Sequence, residues 1–315
     1  MSTSGTAPAP VQPYPLSTRI AVEALGSFFI VFAGLATALF SASTSAVAFA
    51  YGLALVAALV SFGHASTGYF NPAFSVAMAV AGRIKWLPMV LFVVAQTIGA
   101  VLASGVVYAL VKVIPSDATG GVSKVFATLA SGFDDHSPLK VPMVGVVIVL
   151  IVATAILVAV ILGATSVRNT TKLAPFGIGL ALAVAVTIAL PVGNSSLNPA
   201  AATAVVFLTD PWAAGQLWVF WLAPLFGGAL AAAIYRTFVP PVPAVVAETD
   251  DGATSPGDDV ASSEGLDDDT DADALPKPVA AGQVNAGASD AGAAALKVDA
   301  RKRNDAQDFF DAPGK

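Results

Sequence analysis

The sequence predicts an all-α membrane protein: six transmembrane helices plus two re-entrant half-helices, arranged as an inverted repeat. Three observations predict it. Of 315 residues, 56% are hydrophobic and 11% charged, with mean hydropathy +0.77, whereas soluble domains carry about 25% charged residues. Six apolar runs are long enough to cross a bilayer, and two shorter ones each open on Asn-Pro-Ala.

A hydrocarbon core of roughly 30 Å takes about 20 apolar residues as a helix. Runs of that kind cover approximately 19–40, 46–63, 86–111, 141–163, 173–192 and 214–238. The remaining stretches, Asn71–Ala81 and Asn198–Leu208, are too short to cross. Asn is a strong N-cap, and Pro is favoured at the first helical position because its missing N–H is unused there. Each stretch therefore reads as a short helix starting at its Asn. Non-helical backbone survives at membrane depth only when packed in protein or lining a wet cavity, so two half-helices imply a cavity. The motifs lie 127 residues apart, and the same shift carries Ser27 to Thr154. Three spans per half bring the second half in from the opposite face. Inverted repeats with broken helices place a pore or binding site near the midplane.

Charge divides the chain. Residues 1–240 hold nine Lys and Arg against five Asp and Glu, net +4, and residues 241–315 hold six against sixteen, net −10. The overall −6 belongs to the tail. The expected organisation is a disordered segment over 1–17, an apolar body over 18–240 and an acidic disordered cytoplasmic tail over 241–315, whose composition cannot bury a core. Within the tail, 296–310 has the makings of a short helix, with Arg301-Lys302-Arg303 and Phe309-Phe310. There is no cysteine, which excludes disulfides and thiol chemistry. Met1 to Ser17 lacks the basic cluster of a cleaved signal peptide. Arg19, Arg83, Lys85, Arg168, Lys172 and Arg236 fall on one side of the predicted topology, and Lys112, Lys124 and Lys140 on the other. The positive-inside rule then predicts that both termini are cytoplasmic.

The stretch Gly63-His64-Ala65-Ser66-Thr67-Gly68-Tyr69-Phe70-Asn71-Pro72-Ala73 resembles the first signature loop of the aquaporins, or major intrinsic proteins. Pro191-Val192-Gly193-Asn194-Ser195-Ser196-Leu197-Asn198-Pro199-Ala200 resembles the second. Glu23 with Gly26, Gln96 with Gly99, and the last helix from Gln216 to Arg236 are similar to bacterial water-type members. The resemblance implies a passive channel in a bacterial plasma membrane, a homotetramer with one pore per subunit. Its partners would be water, small neutral solutes and membrane lipid, not nucleic acid. It implies no enzyme activity, no cofactor and no metal. Asn71, Pro72, Ala73, Asn198, Pro199 and Ala200 would stand at mid-pore, the two Asn side chains donating to a passing water. The half-helix N-termini carry partial positive charge, so a water there aims its oxygen at the donors, which interrupts proton transfer.

The filter positions matched to the family are Tyr51, Val186, Ser195 and Ala201, where water-type members have an aromatic, a His, a small residue and an Arg. Ala201 removes a fixed charge with several donors. Two opposite expectations follow. The pore widens to glycerol, urea or ammonia, or the Tyr51 ring leans into the vacated space and leaves a narrow apolar gate. The Asp that follows the second motif in glycerol-type members is absent, Ala202 and Thr203 standing in that region. Glu23 matches the family's buried structural carboxylate, but its repeat partner is Leu150, so the second loop needs other acceptors. His64 is the candidate for lining or gating the pore, with Tyr69 where relatives often have a second His. His136, beside Asp134 and Asp135 in the polar 113–140 segment, reads as solvated, and Trp86, Trp212, Trp218, Trp221 and Tyr235 as interfacial anchors or packing. The rival readings are a coupled transporter, for which the spans offer only Glu23, and a non-conducting scaffold that works through its tail.

Overall fold

The computed structural model describes residues 14–115 and 120–239. The expectations for 1–13 and for the acidic tail, its 296–310 helix included, lie outside the described residues. The helices are α1 (Leu16–Phe40), α2 (Thr44–Ser66), α3 (Pro72–Val80), α4 (Trp86–Val113), α5 (Val122–Leu129), α6 (Met143–Ala164), α7 (Ala174–Gly193), α8 (Pro199–Val206) and α9 (Pro211–Phe238). A 3₁₀ turn covers Asp134–His136. Six of them (α1, α2, α4, α6, α7 and α9) are long and apolar enough to cross a membrane. The body begins at Leu16, two residues before the expected boundary at 18. Six crossings return the chain to the side on which it starts, called here the terminal side; the other is the far side.

The outward faces stay apolar: Val94, Ile98 and Leu102 of α4 and Leu222, Phe226 and Leu230 of α9 are exposed. Such faces suit hydrocarbon, and small residues let helix backbones approach closely inside a bilayer. Helix α1 packs on α4 and α2, and α6 packs on α9 and α7 in the same way. The halves join through α2 on α7, while α3 lies against α9 and α8 against α4. Each half-helix is thus seated on the other half's last span. The repeat extends to atoms. A Cβ on Gly99 would stand 2.1 Å from the Ala24 carbonyl oxygen, and one on Gly227 2.3 Å from that of Ile151. Ala24 and Ile151 are again 127 residues apart.

The 113–140 segment departs from its polar reading. Val122, Val125, Phe126 and Leu129 recur at helical spacing and make α5, with Phe126 and Leu129 buried against the body. Ser123 Oγ donates to Asp210 Oδ1 (2.8 Å), pinning α5 to the start of α9. His136 is not simply solvated: its ring stacks on Trp212, centroids 3.7 Å apart. At eight residues, α5 is too short to span, and its apolar face lies among charged neighbours in the sequence.

Replacing Gly99 by Leu should overpack the α1–α4 contact and cost about 1–3 kcal/mol or more. Gly105→Ala, where an added Cβ meets nothing within 4 Å, should be neutral or stabilising by about 0.5–1 kcal/mol. Thermal unfolding of the detergent-solubilised protein measures both; equal Tm values for the two variants would contradict the packing account.

Candidate functional site

Two backbone turns build the site. Thr67 (φ 76°) and Asn194 (φ 47°) end α2 and α7 in the left-handed region, and Phe70 (φ 52°) and Leu197 (φ 58°) re-enter it just before the two Asn residues. The pairs 67/194 and 70/197 are both related by the 127-residue shift. Left-handed non-glycine residues cost of order 1–3 kcal/mol each and persist only where the surroundings over-determine them. Here Phe70 and Leu197 are fully buried. The turns deliver Asn71 and Asn198 as N-caps: Asn71 Oδ1 accepts from Ala73 N (2.8 Å), and Asn198 Oδ1 from Ala200 N (3.0 Å). Capping through oxygen leaves each Nδ2 pointing beyond its helix. Asn71 Nδ2 donates to the Leu197 carbonyl (3.1 Å), which ties the two loops together. Asn198 Nδ2 has no protein acceptor among the described residues, and both Asn residues line one small cavity.

The loops are held by different chemistry. In the first, Glu23 Oε1 accepts from Ser66 Oγ (2.8 Å) and Tyr69 N (3.1 Å), and Oε2 from Phe70 N (2.7 Å) and Gln96 Nε2 (2.7 Å). Four donors on a fully buried carboxylate satisfy it. Gln96 Nε2 also donates to Ser75 Oγ in α3 (2.8 Å). In the second half Leu150 is buried and supplies no acceptor. There the loop borrows from the far-side segment: Asn194 Nδ2 donates to the Thr128 and Ala130 carbonyls (2.8 and 3.0 Å), and Ser131 Oγ to the Asn194 carbonyl (2.8 Å). Gly132 N donates to the Gly193 carbonyl (3.1 Å). Ser195 Oγ accepts from Leu197 N (3.2 Å).

Three cavities follow one another between the halves. A vestibule of about 440 Å³ on the terminal side is lined by Gly63, Thr67, Tyr69, Phe74 and Arg83 among others. It shares Tyr69, Phe74 and Leu55 with the cavity at the two Asn residues, of about 10 Å³. A third, of about 30 Å³, opens toward the far side beside Leu129, Ser131, Asn194 and Ala201. Tyr51 and Ser196 line both of the small cavities and so stand between them. The Tyr51 ring lies where a Cβ on Gly34 would be, 2.0 Å from its Cζ, and its hydroxyl has the Ser196 side chain as hydrogen-bonding neighbour.

The structure brings Tyr51 and Ala201 of the expected filter to these cavities. Val186 is fully buried and lines none of the described cavities, and neither does Ser195, whose hydroxyl is committed to its own loop. His64 lies apart: it is exposed on α2, its ring edge-on to Tyr14 (centroids 5.9 Å), while Gly63 and Thr67 face the vestibule. Among the expected anchors, Trp221 Nε1 donates to Thr203 Oγ1 of α8 (2.8 Å) and Tyr235 Oη accepts from Arg83 (3.0 Å). For Ser196 and Asn194 the sequence gives only their place in the second signature loop. Side-chain chemistry alone gives no signal for which of adjacent serines faces a cavity.

A profile described as "MIP: Major intrinsic protein" matches residues 12–235. Aquaporin Z of Photorhabdus laumondii subsp. laumondii is 36% identical over 225 residues, covering 69% of this chain and 96% of that protein. Aquaporin Z of Bradyrhizobium diazoefficiens is 38% identical over 226 residues, covering 69% and 92%. Among solved structures, the aquaglyceroporin from Plasmodium falciparum is similar in fold, with TM-score 0.58 and 19% identity, over 71% of this chain and 97% of that one.

Glu23→Leu, which gives the first half the residue of the second, should strand the donors on Ser66, Tyr69, Phe70 and Gln96, at about 1–3 kcal/mol for each one left unmet. Glu23→Gln keeps one acceptor oxygen and should cost less. Thermal unfolding in detergent ranks the two variants; a Glu23→Leu protein as stable as the parent would contradict the role given to this carboxylate.

Proposed function

Because the chain belongs to the major intrinsic protein family, whose members are transmembrane channels and not enzymes, we propose that its permeant is water and that Tyr51 with Ser196 sets the constriction. One observation carries this reading: the two cavities flanking Tyr51 measure about 10 and 30 Å³. A water occupies about 30 Å³ of liquid and needs a space of about one probe sphere. Chambers of this size favour water over glycerol, with its six heavy atoms. With Ala201 at the matched filter position, these small cavities support a narrow passage over a widened one.

Asn71, Pro72, Ala73, Asn198, Pro199 and Ala200 supply the middle of the path. One Nδ2 hydrogen of Asn71 is committed to Leu197, which leaves the other, with those of Asn198, for a passing water oxygen. The N-termini of α3 and α8 add partial positive charge at the same place. Water held with its oxygen toward these donors cannot pass a proton along the file, and cations are repelled. Tyr51 and Ser196 offer hydroxyls next in line, at the level where Ala201 contributes only a methyl group. Val186 and Ser195 act by shaping the wall behind them.

The channel sits in the plasma membrane with both termini cytoplasmic, as the distribution of Lys and Arg supports, so the terminal side is the inner one. It assembles as a homotetramer, as the resemblance implies. The Ala201 substitution favours one further reading, a leak for small neutral solutes such as urea or ammonia.

Stopped-flow light scattering on proteoliposomes tests the constriction. Tyr51→Ala should raise glycerol permeability several-fold above the parent while water flux persists, and Ala201→Arg should lower any urea or proton leak. Glycerol flux in the parent equal to that of Tyr51→Ala would overturn the assignment.

A further inference from the structure

Beside the vestibule, on the terminal side, lies a concavity of about 640 Å³ whose walls include Arg83, Arg168, Arg236, Tyr235, Thr165 and Ser166. Three guanidinium groups gather there. The described carboxylates are elsewhere: Glu23 is buried inside the body, and Asp134, Asp135 and Asp210 belong to the far-side segments. The one ion pair among the described residues, Lys140 with Asp135, is also on the far side. Like charges around one hollow repel, and nothing described within the protein neutralises them.

Arg83 is fixed in place. Its Nη1 donates to Thr165 Oγ1 (2.5 Å), and its Nη2 to the Leu162 carbonyl and to Tyr235 Oη (both 3.0 Å). The guanidinium also lies over the Tyr235 ring, 5.2 Å from its centroid. An arginine has five N–H donors, so part of the Arg83 fork is still uncommitted. Arg236 donates once, to the Val80 carbonyl (3.3 Å). Arg168 is exposed and its side chain has no acceptor among the described residues. The Tyr235 hydroxyl accepts from Arg83 (3.0 Å) and has the Ser166 side chain as hydrogen-bonding neighbour, so the two hydroxyls keep one proton between them to give.

We propose that this concavity binds a phosphate-bearing anion, held by the free guanidinium donors of Arg83, Arg168 and Arg236 and by one proton of the Tyr235–Ser166 hydroxyl pair. Arginine forks match phosphate oxygens in bidentate geometry. The same chemistry serves two sources, the headgroup of an anionic phospholipid or a free phosphate; basic pockets at helix ends on the inner face attract the former. Arg83 also lines the vestibule, so an occupant stands next to the inner mouth. The site depends on these residues and not on which solute the channel carries.

The test titrates the full chain, purified in a neutral detergent at ionic strength about 0.15 M, by calorimetry with dioctanoyl phosphatidylglycerol, dioctanoyl phosphatidylcholine and inorganic phosphate. Saturable binding of the phosphatidylglycerol but not the phosphatidylcholine is expected, weakened about tenfold by Arg168→Ala with Arg236→Ala. Removing two far-side charges, Lys112→Ala with Lys124→Ala, should leave the affinity unchanged. Inorganic phosphate binding as tightly as the lipid identifies a free-anion site; much weaker binding identifies the headgroup. Arg168→Ala alone breaks no contact described in the protein, so its weakened binding separates recognition from folding, and unchanged water flux in neutral vesicles keeps the result distinct from the permeant question. Equal binding of the two lipids, no binding of either anion, or equal losses from the two double variants would overturn the proposal.

Discussion

A chain that leaves the helix inside a bilayer frees backbone N–H and C=O groups that lipid cannot satisfy, and the rest of this structure depends on how its two such loops are held. The two loops before Asn71 and Asn198 share their left-handed turns and their Asn caps. They do not share a solution. The first converges on one buried carboxylate, Glu23. The second is held from outside by Thr128, Ala130, Ser131 and Gly132. The link from Asn71 Nδ2 to the Leu197 carbonyl then couples the two loops, so disturbing either one is felt at the centre.

This asymmetry gives the far-side segment a structural purpose. Helix α5 buries Phe126 and Leu129 and brings the Thr128 and Ala130 carbonyls within reach of Asn194. The same segment contributes Leu129 and Ser131 to the far-side cavity. A connection that anchors the second loop thus also forms part of the wall beside Ala201. Leu150 and Ala201 leave both of these positions in the second half without charge, and both side chains are buried.

Much of this was legible in the sequence. The six spans and two half-helices follow from run length and from Asn-Pro at a helix start, because bilayer thickness and capping chemistry leave few alternatives. The 127-residue shift between motifs carries through to the φ angles at 67/194 and 70/197. What stayed hidden depends on side-chain direction. Ser195 and Ser196 are indistinguishable as letters, yet one closes its own loop and the other meets Tyr51. His64 looked chemically apt for a mouth, but its position on α2 turns it toward Tyr14. In the sequence Arg83 is only a mark of orientation, since its partners Leu162, Thr165 and Tyr235 lie about 80 to 150 positions away.

The proposed water path rests on chambers of single-water size around Tyr51, and the glycerol reflection coefficient of the unaltered protein tests that most directly. Proteoliposomes are exposed in turn to equal osmotic steps of sucrose and of glycerol, and the initial shrinkage rates are compared. A path that admits water and excludes glycerol gives equal rates, a reflection coefficient near one. A coefficient well below one, with Tyr51 intact, would contradict the account.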